Sequence, residues 1–270
     1  MERERPDLLV IDDPHAGSAN PWCAAARRRG IPVASVHDLG LARCASDLQI
    51  DGSIVPMKAS PRTVVLAGTR YAILNPRLQW LRARAPRDWD DLPRPRVLVT
   101  LGGGAQARAA WRFGTVLARR RPDVEVRIAG GFVATPPRRL PPNVQWVVSS
   151  DGLAYELAHA TVVLVAGGVT LYEACCLGTP AVAVAVVPAQ RPTVRAFAAR
   201  GAAIDAGTPR NLEGAIGQVL RLLDSVRAQR DLSERASQQV DGRGAQRVAT
   251  ALRRLAHGTS KRSLGDRKAA

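Results

Sequence analysis

Short, uniformly apolar runs, several of them ending in paired glycines, constrain the fold of this chain more than any other feature. Leu8–Ile11, Ile31–Val36, Asp47–Ile50 and Thr63–Leu66 lie in the first part of the chain. Arg96–Thr100, Val124–Ile128, Val144–Val148, Val162–Val165 and Ala181–Val187 follow. Apart from Asp47–Ile50 and Val124–Ile128, these runs are apolar rather than alternating, so they read as strands covered on both faces, the habit of parallel sheets. Glycines follow three of them: Gly102–Gly104, Gly130–Gly131 and Gly167–Gly168. Helical patterns fall between the runs, over Trp22–Arg29, Gln106–Arg120, Leu153–His159 and Thr170–Leu177, and then over Leu212–Arg230 and Gly244–His257. Strand, glycine turn and helix in repetition specify an α/β fold with parallel sheets.

A different texture runs from Pro76 to Arg96, with four prolines, many arginines and the acidic residues Asp88, Asp90 and Asp91. It reads as a linker between two domains. The expected division is a first domain over residues 1–92, a second over 93–257, and a flexible basic tail over 258–270.

The formal net charge is +16, nearly all of it from arginine. Such an excess suits polyanions: nucleic acid, an anionic membrane surface or phosphorylated ligands. Scattered arginines and only 4% aromatic residues disfavour nucleic acid, whose readers interleave aromatics or concentrate the charge. A solvated arginine-rich surface accounts for the charge equally well. No run of about 18 apolar residues marks a membrane span. The charged start, Met1–Arg5, is not a secretory leader. Four cysteines, two of them adjacent at Cys175 and Cys176, do not make a disulfide framework, and a reducing cytoplasm is the expected setting.

Two glycine turns carry the chemistry. Gly102, Gly103 and Gly104 follow an apolar run and precede a helix, where backbone N–H groups and a helix N-terminus can face a phosphate. Gly102, Gly104 and Ala107 also satisfy a loose dinucleotide pattern, but the next strand ends Arg127–Gly131 without the acid that holds a ribose, which disfavours nicotinamide and flavin. The second turn, Gly167–Gly168, precedes Val169, Thr170 and Glu173. Thr170 can cap the helix or donate to a phosphate, and Glu173, one turn on, can accept from ribose hydroxyls. An ordinary capping box between Thr170 and Glu173 is the alternative. Asp88–Asp91 reads as solvated linker. Cys175 and Cys176 occupy consecutive helical positions that do not face each other. No zinc-ligand spacing is present.

The stretch from Val162 to Gln190 resembles the donor-nucleotide signature of GT-B nucleotide-sugar enzymes. A closer resemblance is to the UDP-2,4-diacetamido-2,4,6-trideoxy-β-L-altropyranose hydrolases of pseudaminic acid synthesis and the related spore-coat polysaccharide proteins. It is carried in order by Pro6–Asp13, Val36–Leu39, Ser46–Leu48, Leu66–Pro76, Leu101–Gly104, Ala166–Glu173 and Val240–Gly244 with Arg247 and Val248, nearly the whole chain. It implies two Rossmann-like domains with parallel sheets, a UDP-sugar as ligand and no cofactor. It implies hydrolysis to UDP and a free deoxyamino sugar, with glycosyl transfer on the same scaffold as the alternative. A degenerate UDP-sugar-binding subunit is a further one. Nucleotide contacts fall to Gly102, Gly103, Gly104, Gly167, Gly168, Val169, Thr170 and Glu173, and sugar contacts to Tyr71 and Gln190. The family's opening Gly-x-Gly-His-x-x-Arg loop, whose histidine is the expected base, has no match here. The first domain is therefore expected to be incomplete, to be completed by a second copy or a partner chain, and His15 becomes the candidate replacement base.

Overall fold

The computed structural model describes residues 6–13, 16–37, 45–56, 63–84, 94–103, 106–131 and 139–266. In chain order the elements are β1 (Leu9–Asp12), α1 (Ala16–Arg28), β2 (Val33–His37), β3 (Leu48–Asp51), β4 (Val64–Ala67) and α2 (Arg77–Arg84). There follow β5 (Arg96–Thr100), α3 (Gln106–Arg120), β6 (Glu125–Ala129), β7 (Val144–Val147), α4 (Ala154–Ala158), β8 (Val162–Ala166) and α5 (Val169–Leu177). The chain ends with β9 (Ala181–Val184), α6 (Arg191–Ala199), β10 (Ile204–Asp205), α7 (Leu212–Leu223), α8 (Val226–Gln239) and α9 (Gly244–Asp266). Every strand expected from the apolar runs is present within three residues at each end.

Two compact units form, one from residues 1–73 with 243–270 and the other from residues 74–242. The first holds a parallel sheet in the order β1-β2-β3-β4. Ile11 and Val33 pack with Ala19, Cys23 and Ala26 of α1. Ala34, Leu48 and Ile50 pack with Val248 of α9. Adjacent residues Val33 and Ala34 thus serve different cores, as side chains that alternate along a strand must when helices cover both faces.

The second unit holds a parallel sheet in the order β10-β9-β8-β5-β6-β7. β8 and β9 are buried throughout. The core runs from Val97, Val99, Phe113 and Leu117 to Leu164, Val182, Ile216 and Val219. Helix α5 is apolar almost all round, with Leu171, Tyr172, Ala174, Cys175, Cys176 and Leu177 buried, as suits a helix packed on several sides.

The units depart from the expected boundaries at 92 and 257. Residues 77–84, expected as linker, form α2, which buries Leu78 and belongs with the second unit. Arg82 fastens it there. One guanidinium nitrogen donates to the carbonyls of Cys176 (2.7 Å) and Val240 (2.8 Å), the other to that of Ser237 (2.9 Å). These carbonyls end α5 and α8, where a cation also meets the negative ends of two helix dipoles. At the other boundary, α9 packs on the first sheet and so leaves the second unit. It continues as helix through Asp266, across most of the expected flexible tail. Asp88, Asp90 and Asp91 lie outside the described residues. The expected helix Leu212–Arg230 is two helices, because Ser225 caps a new start by accepting from the Ala228 N–H (3.2 Å). Cys23 is disulfide-bonded, against the expectation of free cysteines, which holds for Cys175 and Cys176.

Truncating Arg82 to Ala removes three charge-assisted bonds and leaves helix-end carbonyls without their donor. A loss of about 1.5–3 kcal/mol is expected, read as a lower urea midpoint with the slope unchanged. Arg82→Lys should restore part of it, since an ammonium cannot span all three acceptors as a planar fork does. An unchanged midpoint in the Ala variant would show that the carbonyls are satisfied without Arg82.

Candidate functional site

The order of the second sheet makes a crevice. From β5 the chain proceeds outward to β6 and β7, then returns to lay β8, β9 and β10 on the other side. The loops leaving the carboxyl ends of β5 and β8 therefore part in opposite directions, and such a switch point is where open α/β sheets bind ligands. Both glycine turns stand there: Gly102–Gly103 after β5 and Gly167–Gly168 after β8.

Three glycines here are required by their surroundings. Gly102 has φ +97°, a left-handed conformation that a side chain would strain. A Cβ on Gly131, at the end of β6, would lie 2.6 Å from the Gly103 Cα, so the two loops touch backbone to backbone. A Cβ on Gly167 would lie 2.5 Å from a Val194 methyl and 3.1 Å from the Gln190 Cβ. Gly104 lies outside the described residues.

Helix α5 begins at the second turn. Its N-cap is Gly168, in extended conformation, and no side chain caps it. Thr170 is the second helical residue and Glu173 the fifth, so the capping box does not form. The Leu171 N–H donates back to the Gly168 carbonyl (3.0 Å), and the N–H groups of Val169 and Thr170 are left for water or an anion. Glu173 is half-buried and makes no hydrogen bond or ion pair among the described residues. Burial pushes its carboxyl up to about 7, because an ionised form without a partner is poorly solvated there.

Gln190 joins the turn. Its side-chain oxygen accepts from the Val186 N–H (3.0 Å), and its amide nitrogen would be 3.5 Å from a Cβ on Gly168. Gly102, Gly103, Gly167, Gly168, Val169, Thr170 and Gln190 are thus brought to one edge of the second sheet. Val148, Val169 and Val187, at the ends of β7, β8 and β9, leave apolar surface exposed beside them. Gly131, Val148 and Val187 were not singled out as site residues from sequence. Their signal is an apolar run that overshoots its buried strand, or a glycine pair at a strand end.

The other candidates stand apart. Tyr71 belongs to the first unit, packed with Ala251, Leu252 and Leu255 of α9. His15 lies outside the described residues. His37 is buried at the end of β2, bonded through its Nε2 to the Ser35 Oγ (2.8 Å), which also meets the Ser46 Oγ (2.7 Å). Burial pushes the thiols of Cys175 and Cys176 up, so neither suits a nucleophile. Among the described residues no helix is long and apolar enough to cross a membrane.

No family model matches the chain. It is 29% identical over 204 residues to the spore coat polysaccharide biosynthesis protein SpsG of Bacillus subtilis (strain 168), over 72% of this chain and 59% of that protein. The chain therefore spans less than two thirds of the length of this relative. Among solved structures it is similar to the glycotransferase of kitacinnamycin, with TM-score 0.64 and 17% identity over 94% of this chain and 77% of that one. MurG of Acinetobacter baumannii gives TM-score 0.62 and 19% identity, over 92% and 73%. The UDP-GlcNAc 2-epimerase of Neisseria meningitidis, bound to UDP-GlcNAc, gives 0.58 and 15%, over 92% and 76%. With two parallel α/β sheets and these neighbours, the chain has the GT-B fold.

Proposed function

We propose that the second unit binds the UDP part of a nucleotide sugar and that the protein acts in polysaccharide or nonulosonic acid synthesis by cleaving the bond from the sugar's anomeric carbon to UDP. The observation that carries this reading is the pair of glycine turns at the strand-order reversal, with the uncapped start of α5 behind one of them. Backbone N–H groups and a helix dipole aimed at a diphosphate stabilise the negative charge that builds on a leaving UDP. Exposed valines at the same edge suit a base, and Glu173 suits ribose hydroxyls. The likeness to SpsG, and neighbours that bind or transfer sugars, support it. Water as acceptor gives a hydrolase and releases a free deoxyamino sugar. A hydroxyl acceptor gives a transferase, favoured by the kitacinnamycin glycotransferase and MurG among the neighbours. The described residues of the second unit serve both equally, since the acceptor does not change the leaving group.

UDP binding tests the core of the reading. Calorimetry should show one UDP per chain, with a raised melting temperature, as for any ligand selective for the folded state. In Glu173→Ala the ribose loses a charge-assisted partner worth about 1.5–3 kcal/mol, so UDP affinity should fall roughly tenfold to a hundredfold while uracil is little affected. A folded chain that ignores millimolar UDP sinks the proposal. Release of UDP from UDP-sugars with and without added acceptor separates hydrolase from transferase. Turnover lost in His15→Ala with UDP affinity kept would make His15 the base.

Glu173 also predicts a pH signature. Its folded carboxyl holds a proton up to about 7, against an ordinary 4.5. Between those values the folded state binds more protons than the unfolded, so stability falls as pH rises. Glu173→Gln should match the wild type near pH 4.5 and exceed it above pH 7 by up to about 3 kcal/mol. Parallel stability profiles for the two proteins would refute an unpartnered buried carboxylate.

A further inference from the structure

The first unit has a hollow of its own, of about 540 Å³, between the β3–β4 edge of the sheet and helix α9. That is the size of a small-ligand site. On α9, Arg247, Thr250, Ala251, Arg254 and Leu255 recur at helical spacing and all line it. Leu48, Val64 and Leu66 from the sheet supply an apolar wall. A second hollow of the same volume, floored by Ile31 and Pro32 and rimmed by Arg27, shares Asp47, Val64, Arg254 and Leu255 as its border. The two make one groove with an apolar floor and an arginine rim.

Its charge is distributed unevenly. Arg247 donates to the Arg70 carbonyl (2.8 Å), and the Arg70 guanidinium lies over the Tyr71 ring, 5.2 Å from its centre. Two cations and the Tyr71 ring therefore share one corner, while the Thr250 hydroxyl donates to the Gln246 carbonyl (2.9 Å). No carboxylate pairs with Arg27, Arg70 or Arg254 among the described residues. The one carboxylate in the lining, Asp47, is at the border of the two hollows, and one of its oxygens is taken by the Val33 N–H (2.8 Å). An anion is favoured at the Arg70–Arg247 corner and opposed at the Asp47 border, while apolar surface runs between them.

We propose that this groove binds a phosphorylated amphiphile: a phosphate ester whose head sits at Arg70 and Arg247 and whose apolar chain lies along Val64, Leu66 and Leu255. More than one guanidinium at a single corner suits a phosphate dianion. The concave shape and the volume of each hollow suit one molecule bound singly, which sets this site apart from a flat membrane-binding face. The site is built entirely from residues of the first unit.

The probe is decyl phosphate, titrated below its micelle concentration into the full chain, with inorganic phosphate and decanol as single-feature controls. One molecule should bind per chain, at least about tenfold tighter than either control, because head and chain contribute together. The double variant Arg70→Gln, Arg247→Gln should weaken binding roughly tenfold to a hundredfold. Arg112→Gln with Arg119→Gln, which removes equal charge from an exposed face of α3, should leave it unchanged. Val64→Glu, at an exposed position, should also weaken it, and circular dichroism confirms that each variant is folded. Excess UDP should not displace the amphiphile. Binding lost equally in both arginine doubles would assign it to overall charge. Displacement by UDP would move it to the nucleotide crevice. Binding to anionic vesicles without binding of the monomer would make the face a membrane contact. Each of these, or no binding at all, overturns the proposal.

Discussion

In the second unit, strands β8, β9 and β10 are laid on one side of β5 after β6 and β7 have been laid on the other. Everything at the candidate site depends on that reversal. Loops that would otherwise run side by side over the sheet are split, and the gap they leave is lined by main chain. The loops must also come close to their neighbours without side chains intervening. Gly131 against Gly103, and Gly167 against Val194 and Gln190, are the places where a Cβ has no room. The glycines thus serve two ends at once. They let the loops pack, and they leave N–H groups uncovered at the mouth of the crevice, where a helix N-terminus strengthens their pull on an anion.

Glu173 runs against the local electrostatics. A carboxylate placed near the start of a helix gains from the dipole, yet here desolvation dominates and the group holds its proton to about neutrality. Desolvation wins because no donor reaches the carboxyl among the described residues. A ligand that brings hydroxyls to it would reverse the balance, since each new bond to the ionised form lowers the pKa again. The strain of an unpartnered acid and the binding of a polyol are then two states of one group, and the destabilisation in the free protein is recovered in the bound one.

Much of this was legible in the sequence, and the reason is physical. Fully covered parallel strands need apolar residues on both faces, so β8 and β9 stand out as unbroken runs, while most of the other strands keep an apolar majority. The short β10 has only two residues and leaves no such mark. Helix α2 hides among prolines and arginines because its attachment is made by Arg82 reaching backbone carbonyls, a contact without hydrophobic periodicity. The glycine turns were visible as paired glycines after strands. What the sequence could not distinguish was a capping box from an open helix start, because Thr170 and Glu173 have the right spacing for the first. The decision rests on where the helix begins. Gly168 takes the cap position, which moves Thr170 inside the helix and leaves the first N–H groups without a side-chain partner. The unit boundaries were likewise set by long-range packing, of α2 in one unit and α9 in the other.

The arginine surplus resolves into different uses that composition alone cannot separate. On the second sheet Arg96 bonds Glu125 (3.1 and 3.2 Å), and Arg127 grips Glu156 through both ends of its fork (2.5 and 2.7 Å) while also bonding Gln145. There the cation is largely buried and paired with a carboxylate on a neighbouring element. Arg82 uses its fork on carbonyls, joining helix ends without any carboxylate. Arg27, Arg70 and Arg254 do neither, and they cluster on one groove of the first unit. A planar cation with several donors can lock a strand ladder, close helix ends or wait for an anionic ligand. Which of these it does is decided by whether the fold brings it a carboxylate, a carbonyl or open space. The net charge of +16 is the sum of these roles, so it says little about partners until the paired arginines are set aside.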